Sequence, residues 1–90
     1  MARMVVTLKI MPESEEVDLE ELSENVSKII KKFEGEVGKT ETEPIAFGLK
    51  ALKLTFVIDE SKGTEEITDE VSMIEGVSSA QVVDMRRTIG

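Results

Sequence analysis

The sequence predicts an α+β fold in the order β-α-β-β-α-β, with a four-stranded antiparallel sheet and two helices on one of its faces. Three observations carry this expectation. Met4–Met11 and Lys50–Asp59 alternate apolar and polar residues with the period of a half-buried strand. Leu19–Phe33 repeats its apolar residues at helical spacing between an acidic cap and a glycine. Two further strand-like runs and a second short helical stripe complete the order, with no linker or low-complexity tract between them.

In the first strand Val6, Leu8 and Ile10 point one way, and Val5, Thr7 and Lys9 the other. Pro12 ends it, because proline cannot donate to a ladder. After the loop Glu13–Val17, Asp18 reads as a helix N-cap, with Glu21 three residues on as in a capping box. Val17 and Leu22 are spaced for a hydrophobic staple. Leu19, Leu22, Val26, Ile29, Ile30 and Phe33 form the apolar stripe. Lys28, Lys31 and Lys32 suit the negative end of the helix dipole, and Gly35 is the expected stop.

Glu36–Glu43 reads as a polar edge strand ended by Pro44. In Lys50–Asp59, Leu52, Leu54, Phe56 and Ile58 form one face, and Lys53, Thr55 and Val57 the other. Glu60–Gly63 is a turn. Thr64 reads as the second N-cap, followed by Glu65 and Glu66. Ile67, Val71 and Ile74 give that helix its stripe, and Gly76 stops it. Val77–Arg87 is the last strand, with Ala80, Val82, Val83 and Met85 as its apolar content, and Thr88-Ile89-Gly90 a short tail. The whole is the ferredoxin-like split β-α-β arrangement, which leaves the second sheet face free for Thr7, Lys9, Lys53 and Thr55.

Composition narrows the function. Ninety residues suit one domain. Such a domain buries roughly 60–65% of its unfolded surface, enough for a small two-layer core. The chain has no Cys and no His, so disulfides, thiolate or imidazole metal sites and His-assisted nucleophiles are excluded. A cytoplasmic home is the expectation. Met1-Ala2-Arg3 leads straight into a strand pattern and not into a signal peptide, and no run is long enough for a membrane span. Nineteen acidic against eleven basic residues give a net charge of −8. RNA and anionic membranes are repelled by that charge, whereas a protein partner docked by apolar contact is favoured.

The fold alone decides no function. RNA-recognition domains of this fold need stacked aromatics on the central strands, and here those positions carry Thr and Lys. Metal carriers need a Cys pair. An acylphosphatase-like enzyme needs a phosphate-cradling loop after the first strand, where Glu13, Glu15 and Glu16 stand instead. The acids from Glu13 to Glu24 read as a solvated loop and helix start, or as a site for a cation or basic partner. Lys62-Gly63 reads as a turn or as an anion cradle before a helix.

The connection Glu43–Leu52 is unusual in placing apolar residues where a hairpin loop is ordinarily polar. Phe47 stands beside Gly48 in a chain with three Phe and no Tyr or Trp. It is either a hydrophobic plug over a helix end or a presented binding anchor. Arg86-Arg87 is the one place where two positive charges adjoin with no acid after Asp84. It reads as a solvated strand end or as a cationic contact.

Pro44-Ile45-Ala46-Phe47-Gly48-Leu49-Lys50-Ala51-Leu52, with Met11-Pro12-Glu13-Ser14 and Asp18 before it and Glu75-Gly76-Val77 and Asp84-Met85-Arg86-Arg87 after it, resembles the translation elongation factor 1-beta family. The likeness covers essentially the whole chain and is to the short archaeal form, a guanine-nucleotide exchange domain alone. It implies a ferredoxin-like fold and a factor that promotes exchange of GDP for GTP on the GTPase elongation factor 1-alpha. It implies no covalent chemistry and no cofactor of its own. The net charge sets the further expectation of no direct nucleic-acid contact, and no second copy of the chain is required. In eukaryotic members a C-terminal lysine reaches toward the GTPase magnesium site, and the aromatic before the glycine docks on a second surface. Carried over, Phe47 takes the aromatic position, flanked by Pro44, Ile45 and Gly48, and Arg87, with Arg86 as the second choice, takes the basic one. This chain departs from those members in carrying the planar guanidinium of arginine in place of an ammonium. A small regulatory ligand-binding or dimerisation module of the same fold is the second reading.

Overall fold

A computed structural model describes residues 3–46 and 48–88. The elements run β1 (Arg3–Pro12), α1 (Leu19–Lys32), β2 (Glu36–Pro44), β3 (Lys50–Asp59), α2 (Thr64–Ser72) and β4 (Val77–Thr88). The strands form one antiparallel sheet in the order β2-β3-β1-β4. This is the architecture expected from the alternating runs.

Period two in the central strands sets the layers. Val6, Leu8 and Ile10 of β1 lie beside Phe56, Leu54 and Leu52 of β3 in register, so their side chains share one face. Leu22, Val26 and Ile30 of α1 and Ile67 and Val71 of α2 cover that face and complete the core. The stripes are the i, i+4 rows of two amphipathic helices. On the opposite face Lys9 and Lys53 are paired in register, as are Thr7 and Thr55, whose hydroxyls lie 3.4 Å apart.

Asp18 caps α1: its Oδ1 accepts from the backbone N–H of Glu20 at 2.9 Å and of Glu21 at 3.4 Å. Val17 and Leu22 both join the apolar cluster, as a staple requires. The helix stops just before Gly35, as expected, but its left-handed residue is not the glycine. Its cap is Phe33, and the left-handed residue is Glu34, with φ 64°. Glu34 N–H donates to the Lys31 carbonyl and Gly35 N–H to the Ile30 carbonyl, the two bonds of a Schellman closure. Gly35 serves close approach instead. A Cβ there would lie 2.7 Å from Ile30 Cγ2 and 3.2 Å from the Val57 carbonyl oxygen.

Three other boundaries shift. Gly63, not Thr64, is the N-cap of α2; its backbone is extended and no side-chain oxygen caps the helix. Thr64 is already helical, and its carbonyl accepts the Thr68 hydroxyl at 2.9 Å. At the far end α2 stops at Ser72, before Ile74, yet Ile74 still packs against the core. The last strand continues through Thr88, while Ile89 and Gly90 lie outside the described residues.

Candidate functional site

The registers sort the candidate residues onto opposite ends of the sheet. At one end Pro44 pairs with Lys50, closing the β2–β3 loop, and Pro12 pairs with Val77. At the other Arg3 lies between Asp59 and Thr88, with Arg86 opposite Val5 and Arg87 opposite Met4. Seven residues of β3 separate the Lys50 level from Val57, which is level with Arg86 across Val5. At about 3.4 Å per residue that is roughly 24 Å. The predicted separation of the apolar loop from the arginines is therefore present in the backbone.

The loop is closed by its own backbone. Ile45 N–H donates to the Leu49 carbonyl at 2.7 Å, and Leu49 N–H to the Ala46 carbonyl at 3.2 Å. Gly48, the third residue of that last turn, has φ +77°. A side chain is strained in that left-handed region. Pro44, Ala46 and Gly48 are exposed and Ile45 is half-buried, so the apolar segment does stand at the surface. Phe47, the expected anchor, lies outside the described residues.

Two carboxylates adjoin the loop: Glu43, which the sequence did not single out as a site residue, and Glu15, part of the acidic run weighed as a cation or basic-partner site. Glu43, immediately before Pro44, sits between Lys9 and Lys53, with its Oε2 3.6 and 3.5 Å from their Nζ atoms. That oxygen is buried without a hydrogen-bond partner, so the lysine charges are what offset its desolvation. It also separates two like charges that face each other in register. Glu15 of the β1–α1 connection approaches Gly48 from the other side; a Cβ on Gly48 would lie 2.7 Å from Glu15 Oε2. The signal for Glu43 was only its adjacency to the loop; its place between the two lysines is visible once the strands are paired.

Gly48→Ala is expected to lower unfolding free energy by about 1 kcal/mol or more, through the positive φ. The mobile Glu15 carboxylate can yield, so the strain lies in the backbone. A urea midpoint that falls with an unchanged slope is the expected reading.

Between the loop and the start of α1 lies an open groove of about 680 Å³, lined by Ser14, Glu15, Glu16, Asp18, Gly48 and Lys50 among others. The acidic run thus flanks the loop. Asp18 is engaged as the helix cap, and among the described residues no group of three or more acids comes together to hold a metal ion. Lys62, weighed as part of an anion cradle, instead faces Glu34 at 3.7 Å.

At the arginine end, Arg86 Nε lies 3.2 Å from Asp84 Oδ2 and Arg87 Nε 3.1 Å from Glu60 Oε2. The arginine side chains are 78% and 72% exposed, so each pair contributes at most about 1 kcal/mol in water. The turn that carries Glu60 is held by Asp59. Its Oδ1 accepts Ser61 N–H at 2.9 Å, and its carbonyl accepts Lys62 N–H at 3.0 Å. Hydrogen bonds from Ser61 hold the Asp59 carboxyl below its ordinary pKa, with the charge of Arg3 adding to them.

The class is that of the ferredoxin-like α+β sandwiches. Ribosomal protein S6 of Thermotoga maritima superposes with a TM-score of 0.65 at 20% identity, covering 98% of this chain and 89% of that one. An ACT domain from a GTP pyrophosphokinase of Chlorobium tepidum does so at 0.64 and 12% identity, covering 90% and 99%. At such identities only the fold is shared. Sequence goes further. The model of the EF-1 guanine nucleotide exchange domain matches residues 5–88. An elongation factor 1-beta of Methanobrevibacter smithii is 46% identical over 88 residues, covering 97% of this chain and 98% of the relative. Another, of Staphylothermus marinus, is 44% identical over 90 residues, with 97% and 98% covered. The chain belongs to the EF-1 guanine nucleotide exchange domain family. Its role is guanine-nucleotide exchange in translation elongation.

Proposed function

We propose that the chain acts as one exchange domain on the GTPase elongation factor 1-alpha, bracing it at two points. The Pro44–Gly48 loop, with Phe47 as its anchor, docks on one surface. The arginine pair at the end of β4 supplies one guanidinium to a second, where the nucleotide phosphates and their metal are held. The observation that supports this reading is the spacing of roughly 24 Å along one rigid strand between the two ends.

The physical argument is one of linkage. A partner that binds the nucleotide-free GTPase more tightly weakens the nucleotide by the same factor. A thousandfold weakening takes about 4 kcal/mol of differential binding. A guanidinium brought to the phosphate end of the site offers bidentate bonds to carboxylates there and repels bound cations. Buried in that interface it has low dielectric around it, where such charges act strongly. The chain makes and breaks no covalent bond in this scheme and needs no cofactor, nucleic acid or second copy. Its proposed place of work is the cytoplasm, as for a translation factor. Among the described residues no helix is long and apolar enough to cross a membrane.

The test is release of fluorescent GDP from elongation factor 1-alpha followed by stopped flow. The wild type at micromolar concentration is expected to accelerate release. The double variant Arg86→Ala/Arg87→Ala is expected to bind the GTPase yet lose most of that acceleration. Point substitution is the proper form of this test, because both arginines lie within β4 and pair with β1. No acceleration by the wild type would sink the reading.

A further inference from the structure

We propose that Arg87, and not Arg86, is the cation presented at the end of the sheet, and that Glu60 is the residue that positions it. The inference rests on the two-point reading above and assigns its basic contact.

Consecutive strand residues project to opposite faces. Arg87 is opposite Met4, which packs against the core, so Arg87 belongs to the helix-covered face. Arg86 is opposite Val5 and belongs to the open face. This assignment depends on a bulge. The pairing of β1 with β4 runs Leu8 to Val82 and then Thr7 to Asp84, leaving Val83 as an extra residue. Without it Met4 would face Arg86, and the two arginines would exchange faces.

Their partners then separate them further. Asp84 lies two residues before Arg86 on the same face, so the Arg86 guanidinium is folded back along its own strand, away from the end. Glu60 is the first residue past β3, whose last residue Asp59 is level with Arg3 and Thr88. Arg87 is thereby drawn outward to the rim. Glu60 itself is held in the hydrogen-bonded turn of Asp59 to Lys62, so it offers a fixed point. Of the two arginines, Arg87 is the one held toward the end of the sheet, with its side chain exposed. The pair with Glu60 is exposed and weak, so an acidic site on the partner can take the guanidinium over. What Glu60 supplies is direction: it keeps a flexible side chain near its docking position before the encounter.

The maximal rate of GDP release and the affinity for nucleotide-free GTPase are measured separately for four variants. Arg87→Ala is expected to cut the maximal rate about 100-fold or more. Arg86→Ala should stay within about threefold, as an exposed pair removed from the contact should. Glu60→Gln should lower the rate about three- to fivefold with melting temperature unchanged, and Glu60→Asp should recover part of the loss. In the free protein the Arg87 Nε–H resonance should move in Glu60→Gln while that of Arg86 stays. Equal loss in the two arginine variants, or a Glu60→Gln protein with wild-type rate and an unmoved Arg87 resonance, would overturn the assignment. A wild type that fails to accelerate release overturns the two-point reading itself, a distinct result.

Discussion

Phe47→Ala is expected to raise the dissociation constant for elongation factor 1-alpha about 30-fold or more. That corresponds to roughly 2 kcal/mol, the loss seen when a buried aromatic anchor is truncated at an interface. The loss should appear mainly as faster dissociation. The described residues of the loop are held in place by their own backbone and by Glu43. The loop's turn is closed by backbone bonds from Ile45 to Leu49 and from Leu49 to Ala46, and Gly48 supplies the left-handed residue. Glu43 ties its base to Lys9 and Lys53. The alternative role, a plug over a helix end, predicts a different pair of results. A plug loses melting temperature and keeps affinity per folded molecule; an anchor loses affinity and keeps melting temperature. Surface plasmon resonance together with a thermal scan separates the two in one variant.

Phe56→Ala should have the largest effect on stability, about 3–5 kcal/mol. Phe56 is 1% exposed at the centre of β3, with Val6 beside it on one side and Val37 on the other. Truncation leaves a cavity where three strands meet the helices, and the flanking backbone is held by ladders on both sides and cannot close it. A domain of this length has only about 5–13 kcal/mol in total, so the loss is a large share. A urea titration should show a much lower midpoint at unchanged slope. In the proposed two-point brace the consequence would reach function, because β3 is the spacer: the Pro44–Gly48 loop enters it at Lys50 and Glu60 follows its last residue. A variant that keeps wild-type stability would mean that the core does not close around Phe56.

Much of this architecture was legible in the residues. The alternation of Val6, Leu8 and Ile10 and of Leu52, Leu54, Phe56 and Ile58 gave the buried face of both central strands, because strand side chains repeat every second residue. Asp18 was legible as a cap because a short acceptor before an apolar stripe has one favourable use. Boundaries were less so. Gly35 marked the stop of α1, but the left-handed residue of the closure is Glu34, and Thr64 carried the signal for a cap that Gly63 takes. Gly35 is needed where Ile30 and the Val57 carbonyl crowd it, which passes the left-handed conformation to Glu34. The turn held by Asp59 delivers the chain to α2 one residue sooner than Thr64 would.

The family, the exchange role and the residues worth testing were thus present in the sequence, since they rest on local identity and on composition. The chain by itself also determined that an apolar loop and a basic strand end lie at opposite ends of the sheet, because hairpin topology allows nothing else. Which arginine faces which way was not determined there. Ala80, Val82, Val83 and Met85 break the alternation, and a period-two reading places the extra residue nowhere in particular. Pairing with β1 puts it at Val83, between Leu8 and Thr7, and everything beyond turns over by one face. Only tertiary contact supplies that, because a bulge is a property of two strands together, and it is what brings Arg87 to Glu60.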